Sequence, residues 1–114
     1  MTRHHCQYET RMCDGVLEIR LGGEIDHHSA VNIRVALDED ICRLRPKKTV
    51  LDLGAIEFMD SSGLGLIMGR YSLMQKLGGE QTVRSPNERI MKIFELAGLG
   101  RLIRIEQDGE EEVT

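Results

Sequence analysis

Asp60-Ser61-Ser62-Gly63 gathers a carboxylate, two hydroxyls and a glycine in four residues, and Asp26-His27-His28 adds a second polar cluster upstream. Those residue types admit four kinds of chemistry. Serine with histidine and a carboxylate is the set for acyl transfer. Glycines at a helix start can cradle a phosphate. Histidines and cysteines can hold a metal. A hydroxyl presented at a surface can itself receive a phosphoryl group.

The spacing argues against the first three. A hydrolase elbow needs Gly-x-Ser-x-Gly, which is absent, and the chain is small for the usual scaffold of that chemistry. A small enzyme acting through Ser61 is therefore the weaker alternative. Neither Gly-x-x-x-x-Gly-Lys-Ser/Thr nor Gly-x-Gly-x-x-Gly occurs, so Gly63 and Gly65 carry little weight for nucleotide binding. His4-His5-Cys6 and His27-His28 are adjacent pairs without a distant ligand pattern, and they read as polar turns. No cofactor and no metal is expected. The fourth reading stands beside a plainer one, in which Ser61 or Ser62 simply caps a helix.

The elements that must position these residues follow from periodicity. Tyr8, Thr10 and Met12 alternate with Glu9 and Arg11, which predicts an edge strand, and Asp14-Gly15 is a hairpin turn signal. Leu17, Ile19 and Leu21 alternate with Glu18 and Arg20, predicting a strand wet on one face, and Gly22-Gly23 is expected to end it. Residues 24–28 read as a polar connection, with Ser29 the better cap than His28. Ala30, Ile33, Leu37, Ile41 and Leu44 then recur at helical spacing, and Cys42 within that pattern is expected to be buried. Pro46 forces the stop and pushes Arg45 toward an extended conformation.

Thr49-Val50-Leu51-Asp52-Leu53 predicts a central strand. A loop over 54–59 should follow, with Ile56 and Phe58 tucked inward. The next helix is expected to bury Leu64, Ile67, Met68, Tyr71, Met74 and Leu77 before Gly78-Gly79 stops it. Gly65 and Gly69 inside that helix predict close approach of a neighbouring element. Residues 80–84 form a weaker strand, and Ser85-Pro86-Asn87-Glu88 opens a helix burying Ile90, Ile93, Phe94 and Ala97. Ile103 and Ile105 mark a last strand, followed by an acidic tail from Glu106 to Thr114.

The order β-β-α-β-α-β-α-β predicts an α/β domain: a mixed four- to five-stranded sheet, antiparallel at its N-terminal hairpin and parallel afterwards, with helices mainly on one face. Residues 1–114 read as one domain with its core at about 8–107. At 114 residues, 40% hydrophobic and 30% charged, the composition is that of a soluble globular protein. The net charge of -4 argues against a nucleic-acid face, and no apolar run reaches membrane length. Without the apolar run of a signal peptide, Cys6, Cys13 and Cys42 read as free thiols in a cytoplasmic protein.

Gly23-Glu24-Ile25-Asp26-His27-His28, together with Phe58-Met59-Asp60-Ser61-Ser62-Gly63-Leu64-Gly65 and Gly69-Arg70-Tyr71, resembles the STAS-domain anti-sigma factor antagonists over about Tyr8 to Gln107. The sporulation branch of that family is the nearer match, and the general stress branch is the rival. The resemblance implies a domain that binds a dimeric anti-sigma factor, itself a serine kinase of the GHKL type, and so releases a sporulation sigma factor. It implies phosphorylation of Ser61 by that kinase with ATP and Mg²⁺, and reversal by a serine phosphatase. It carries partner contacts onto Asp26, His27, His28 and Asp60, with Ser62 and Gly63 shaping the helix start around Ser61. It implies a protein that is a substrate of enzymes and not an enzyme, and a monomer when free. The family often adds a terminal helix where this chain carries its acidic tail.

Overall fold

The computed structural model describes residues 6–107. Five strands, β1 (Gln7–Cys13), β2 (Val16–Ile25), β3 (Lys48–Met59), β4 (Glu80–Arg84) and β5 (Arg104–Glu106), form one sheet in chain order. Between them lie α1 (His27–Leu44), α2 (Ser61–Lys76), α3 (Glu88–Ala97) and a 3₁₀ turn at Leu99–Arg101. β1 and β2 pair antiparallel, and every later pair is parallel. The helices pack on one face, as the alternation in β2 requires. The acidic stretch 108–114 and the histidines His4 and His5 lie outside the described residues.

The β1–β2 hairpin closes with Cys13 opposite Val16, leaving a two-residue turn in which Asp14 and Gly15 have φ of 51° and 81°. Both left-handed residues belong to the turn type that matches strand twist, and Asp-Gly meets its steric demand. Leu17, Ile19 and Leu21 then point into the core and are fully buried. They meet Ile33, Leu37 and Ile41 from α1 and Leu66, Ile67 and Met74 from α2 in one cluster. Gln81 joins α2 to the sheet: its Nε2 donates to the Ile67 carbonyl at 2.9 Å while Thr49 Oγ1 donates to its Oε1 at 3.1 Å. Both buried side chains are thereby satisfied.

Several expectations need correction. Gly22-Gly23 does not end β2, which runs on to Ile25, and residues 54–59 are strand and not loop. The reason is a pair of register shifts. Arg20 and Gly22 face Asp52 and Ala55, and Gly23 and Glu24 face Ile56 and Phe58, so β3 holds one extra residue at each step. Bulges bend a strand and reset its alternation. Ile56 and Met59, three apart, therefore both turn inward, and Phe58 is 43% exposed instead of tucked in. Cys42 is exposed on α1, not buried. Arg45 adopts a left-handed conformation, not an extended one, because its N–H closes the helix on the Ile41 carbonyl at 2.9 Å. Ala97 is exposed, whereas Ile90 and Phe94 are buried as expected.

The helix-free face of the sheet is charged. Glu18 accepts from Arg11 at 2.9 Å and from Arg84 at 3.2 Å, and Arg84 approaches Glu106 at 3.9 Å. The hydrogen bond from Arg84 holds the Glu18 carboxyl below its ordinary range, with burial opposing it and the charges of Arg11 and Arg84 assisting. Because the folded value is the lower one, this stabilisation is present above the unfolded carboxylate value and disappears as pH falls through the folded one. Glu18→Gln is therefore expected to lower the thermal midpoint at pH 7, with the difference from the parent shrinking as pH falls below the unfolded carboxylate value of about 4.3. Melting curves across that range check it; a constant difference down to pH 3 would exclude the ion pairs as its source.

Candidate functional site

β2 and β3 end side by side, with Ile25 opposite Met59 and the Asp60 N–H donating to the Ile25 carbonyl at 3.2 Å. Each strand hands over directly to a helix. Asp26 and Asp60 are the caps of α1 and α2, so two helix N-termini and two carboxylates meet at the C-terminal edge of the parallel strands. Asp26 at the start of α1 is thus brought beside Asp60 at the start of α2, and His27 lines a groove with Ser62.

The caps differ from those expected. Asp26, not Ser29 or His28, caps α1: its Oδ1 accepts from the Ser29 N–H at 2.9 Å, and Ser29 Oγ accepts from the Asp26 N–H at 3.0 Å. This reciprocal box satisfies two backbone donors. At α2, neither serine is the cap. Asp60 Oδ1 accepts from the Ser62 N–H at 2.8 Å, which leaves Ser61 as the first helical residue. Ser61 is exposed, and among the described residues its hydroxyl makes no hydrogen bond. Capping by the preceding aspartate is what frees the hydroxyl.

Ser62 is half-buried and lines a groove with His27, and His27 and His28 are both exposed. Gly63 is buried, and a Cβ built on it would collide with the Met59 side chain. Its part in the site is steric: it lets the first turn of α2 lie against the end of β3. Gly65 and Gly69 are the reverse of what was expected. Nothing lies within 4 Å of where their Cβ atoms would stand, so no neighbour in the fold approaches them.

Arg70 is a residue that local reading of the sequence missed. It is 5% exposed, its Nε lies 2.7 Å from Asp38 Oδ1 on α1, and its Nη1 donates to the Leu66 carbonyl at 3.4 Å. The short approach is an ion pair without good hydrogen-bond direction, while Nη2 donates to Asp38 Oδ2 at 3.3 Å. Burial pulls the guanidinium below its ordinary value and Asp38 opposes that. The pair ties α1 to α2 behind the two N-termini. Asp38 and Arg70 are 32 residues apart, and no local pattern announces them.

Chemically the arrangement presents an exposed hydroxyl that makes no hydrogen bond among the described residues. Among the described residues no three His, Cys, Asp or Glu side chains converge as metal ligands. All three cysteines are free, and the Cys6 thiol is pushed up to about 11 by burial and by the charge of Asp26. Among the described residues, no helix is long and apolar enough to cross a membrane.

Asp26 carries a structural load that its variants must respect. Asp26→Ala removes the α1 cap and is expected to cost about 1 kcal/mol of stability. Asp26→Asn keeps a capping oxygen and removes the charge. A melting temperature for Asp26→Asn between those of Asp26→Ala and the parent is expected by calorimetry; equal losses in both would contradict the cap.

Comparison with known proteins agrees with this geometry. The STAS domain family matches residues 7–112. An anti-sigma F factor antagonist from Paenibacillus polymyxa is 41% identical over 99 residues, covering 87% of this chain and 85% of that protein. An anti-sigma-B factor antagonist from Bacillus subtilis is 32% identical over 97 residues, covering 82% and 84%. The solved structure of the anti-sigma factor antagonist SpoIIAA in its unphosphorylated form is similar with a TM-score of 0.79 and 30% identity, over 94% of this chain and 92% of that one. The phosphorylated form of SpoIIAA from Bacillus is similar with a TM-score of 0.74 at the same identity, over 94% and 96%. Membership makes this a regulatory, non-enzymatic domain. The chain belongs to the STAS-domain anti-sigma factor antagonists.

Proposed function

We propose that this antagonist binds a dimeric anti-sigma factor that is itself a serine kinase, thereby releasing a sporulation sigma factor, and that phosphorylation of Ser61 ends the interaction. The observation that carries the reading is the free, exposed Ser61 hydroxyl at the first position of α2. A kinase brings ATP, metal and base, so the substrate has only to present its hydroxyl. A serine phosphatase restores the unmodified form. The whole chain acts as one domain, cytoplasmic and monomeric when free.

The physical basis of the switch is a difference between fold and interface. Phosphate adds about -1.5 to -2 charges at neutral pH. At the start of α2 that charge meets the positive end of the helix, which offsets its repulsion by the Asp60 carboxylate. At a packed interface the same charge must be desolvated or must face an acidic partner, and the complex is lost. Asp26, His27, His28, Asp60 and Ser62 contribute the surface around Ser61, while Gly63 shapes it from beneath.

The sporulation branch is favoured by the 41% identity to an anti-sigma F factor antagonist, against 32% to an anti-sigma-B factor antagonist. Intact mass before and after incubation with the anti-sigma F factor of Paenibacillus polymyxa and Mg-ATP, with a pull-down of each form, tests the proposal. A gain of one phosphate and loss of pull-down by the modified form are expected. Pull-down indifferent to the phosphate would make the domain a passive scaffold. Modification and release only with an anti-sigma-B kinase would move it to the stress branch.

A further inference from the structure

The two helices that start at the site leave a groove of about 220 Å³ between them, lined by His27, Val31, Arg34, Ser62, Gly65 and Leu66. We propose that this groove is a docking channel for an apolar segment bearing a carboxylate, supplied by the same serine kinase that modifies Ser61. The proposal rests on the function proposed above and extends the contact surface well beyond the acceptor.

Three features of the groove and the helix faces that continue from it have no use within the fold. Val31 and Val35 stand four apart on α1 and are 43% and 51% exposed, which gives the helix an apolar strip facing solvent. Gly65 and Gly69 stand four apart on α2 with empty space above them. Glycine weakens a helix interior, and here no internal neighbour requires its small size. Of these, Val31 and Gly65 line the groove itself, and the missing side chain at Gly65 leaves a channel in which an outside segment can approach the α2 backbone. Arg34 is exposed, and it makes no hydrogen bond or ion pair with the described residues.

The charge of Arg34 identifies the kind of occupant. Asp38, one turn along α1, is already engaged by Arg70, and the nearby Arg70 charge repels Arg34. An unpaired guanidinium at the rim of an apolar channel fits a carboxylate next to apolar side chains. The position of the groove identifies its owner. Ser62 lines the channel and is the immediate neighbour of Ser61, so a segment seated there reaches the first turn of α2, where the acceptor stands. Two molecules engage Ser61 in the proposed function, and of these the kinase is the one that must bind the unmodified chain and hold an uncharged hydroxyl in place for transfer.

The test uses a Ser61→Ala background, in which no transfer can occur, and the anti-sigma F factor of Paenibacillus polymyxa as the probe. Gly65→Leu fills the channel at a position with open space, so its melting temperature is expected to equal or exceed that of the parent. Its affinity by calorimetry is expected to fall at least tenfold. Arg34→Glu is expected to fall by a similar factor, with the difference shrinking in high salt. Affinities within twofold of the parent for both variants would overturn the groove while leaving the proposed function standing. A parent that does not bind the kinase would overturn both. Self-association of the parent that Gly65→Leu abolishes, with kinase affinity unchanged, would assign the groove to a second copy of the chain and overturn the proposal.

Discussion

Ser61→Ala is expected to abolish phosphoryl transfer to this chain while leaving its affinity for the kinase within about threefold of the parent. The side chain makes no hydrogen bond within the described fold, and the α2 cap is the neighbouring Asp60, so alanine removes an acceptor and no support. A stability change within about 0.5 kcal/mol follows. Ser61→Asp and Ser61→Glu are expected to fold equally well, because a carboxylate in the first turn of a helix is tolerated or favoured. They should nevertheless lose at least tenfold in affinity, about 1.4 kcal/mol, since a charge at a packed interface must be desolvated. Calorimetry on the three variants separates the two effects. Strong binding by both acidic variants would remove charge as the means of release.

Gly63→Val is expected to destabilise the domain by about 2–3 kcal/mol through overpacking. The effect comes from one contact: any Cβ at this position runs into the side chain of Met59, which is buried at the end of β3. In an open helix, replacing glycine would be favourable by up to about 1 kcal/mol. The sign therefore reports on Met59. Gly63→Ala should also lose stability, and Met59→Ala in the same chain should recover part of the loss, giving a non-additive pair. If Gly63→Ala melts at or above the parent, α2 does not sit against β3 as described. The outcome matters for function because this packing sets where Ser61 stands.

The contrast between Gly63 and Gly65 shows where local reading succeeds and where it stops. Both are glycines in the first turns of α2, and the sequence alone cannot say which one meets a wall. Met59 lies against Gly63 because β3 carries its two extra residues, and those bulges depend on pairing with β2. A register shift between strands more than thirty residues apart has no signature in either segment. The same shift turned Phe58 outward and extended both strands beyond their expected ends.

Local rules did well where one element decides the outcome. The Asp-Gly hairpin, the inward set Leu17, Ile19 and Leu21, the stop at Gly78 and the Asn87 start of α3 all follow from residue type and spacing. The caps of α1 and α2 were misassigned by a few residues, although Asp26-x-x-Ser29 at capping-box spacing was there to be read. That error bears on the site, because it made serine the cap when aspartate was. Arg70 and Asp38 were out of reach for a different reason: their pairing exists only once α1 and α2 lie side by side.

The central claim is that Ser61, freed by the Asp60 cap, is the residue that receives the phosphoryl group. Phosphopeptide mapping after incubation with the cognate anti-sigma kinase and Mg-ATP tests it most directly. The expected result is a single modified site at Ser61, with Ser62 unlabelled because it is half-buried between the two helices whereas Ser61 is exposed. Label on Ser62 or on any other residue, with Ser61 unmodified, would contradict it.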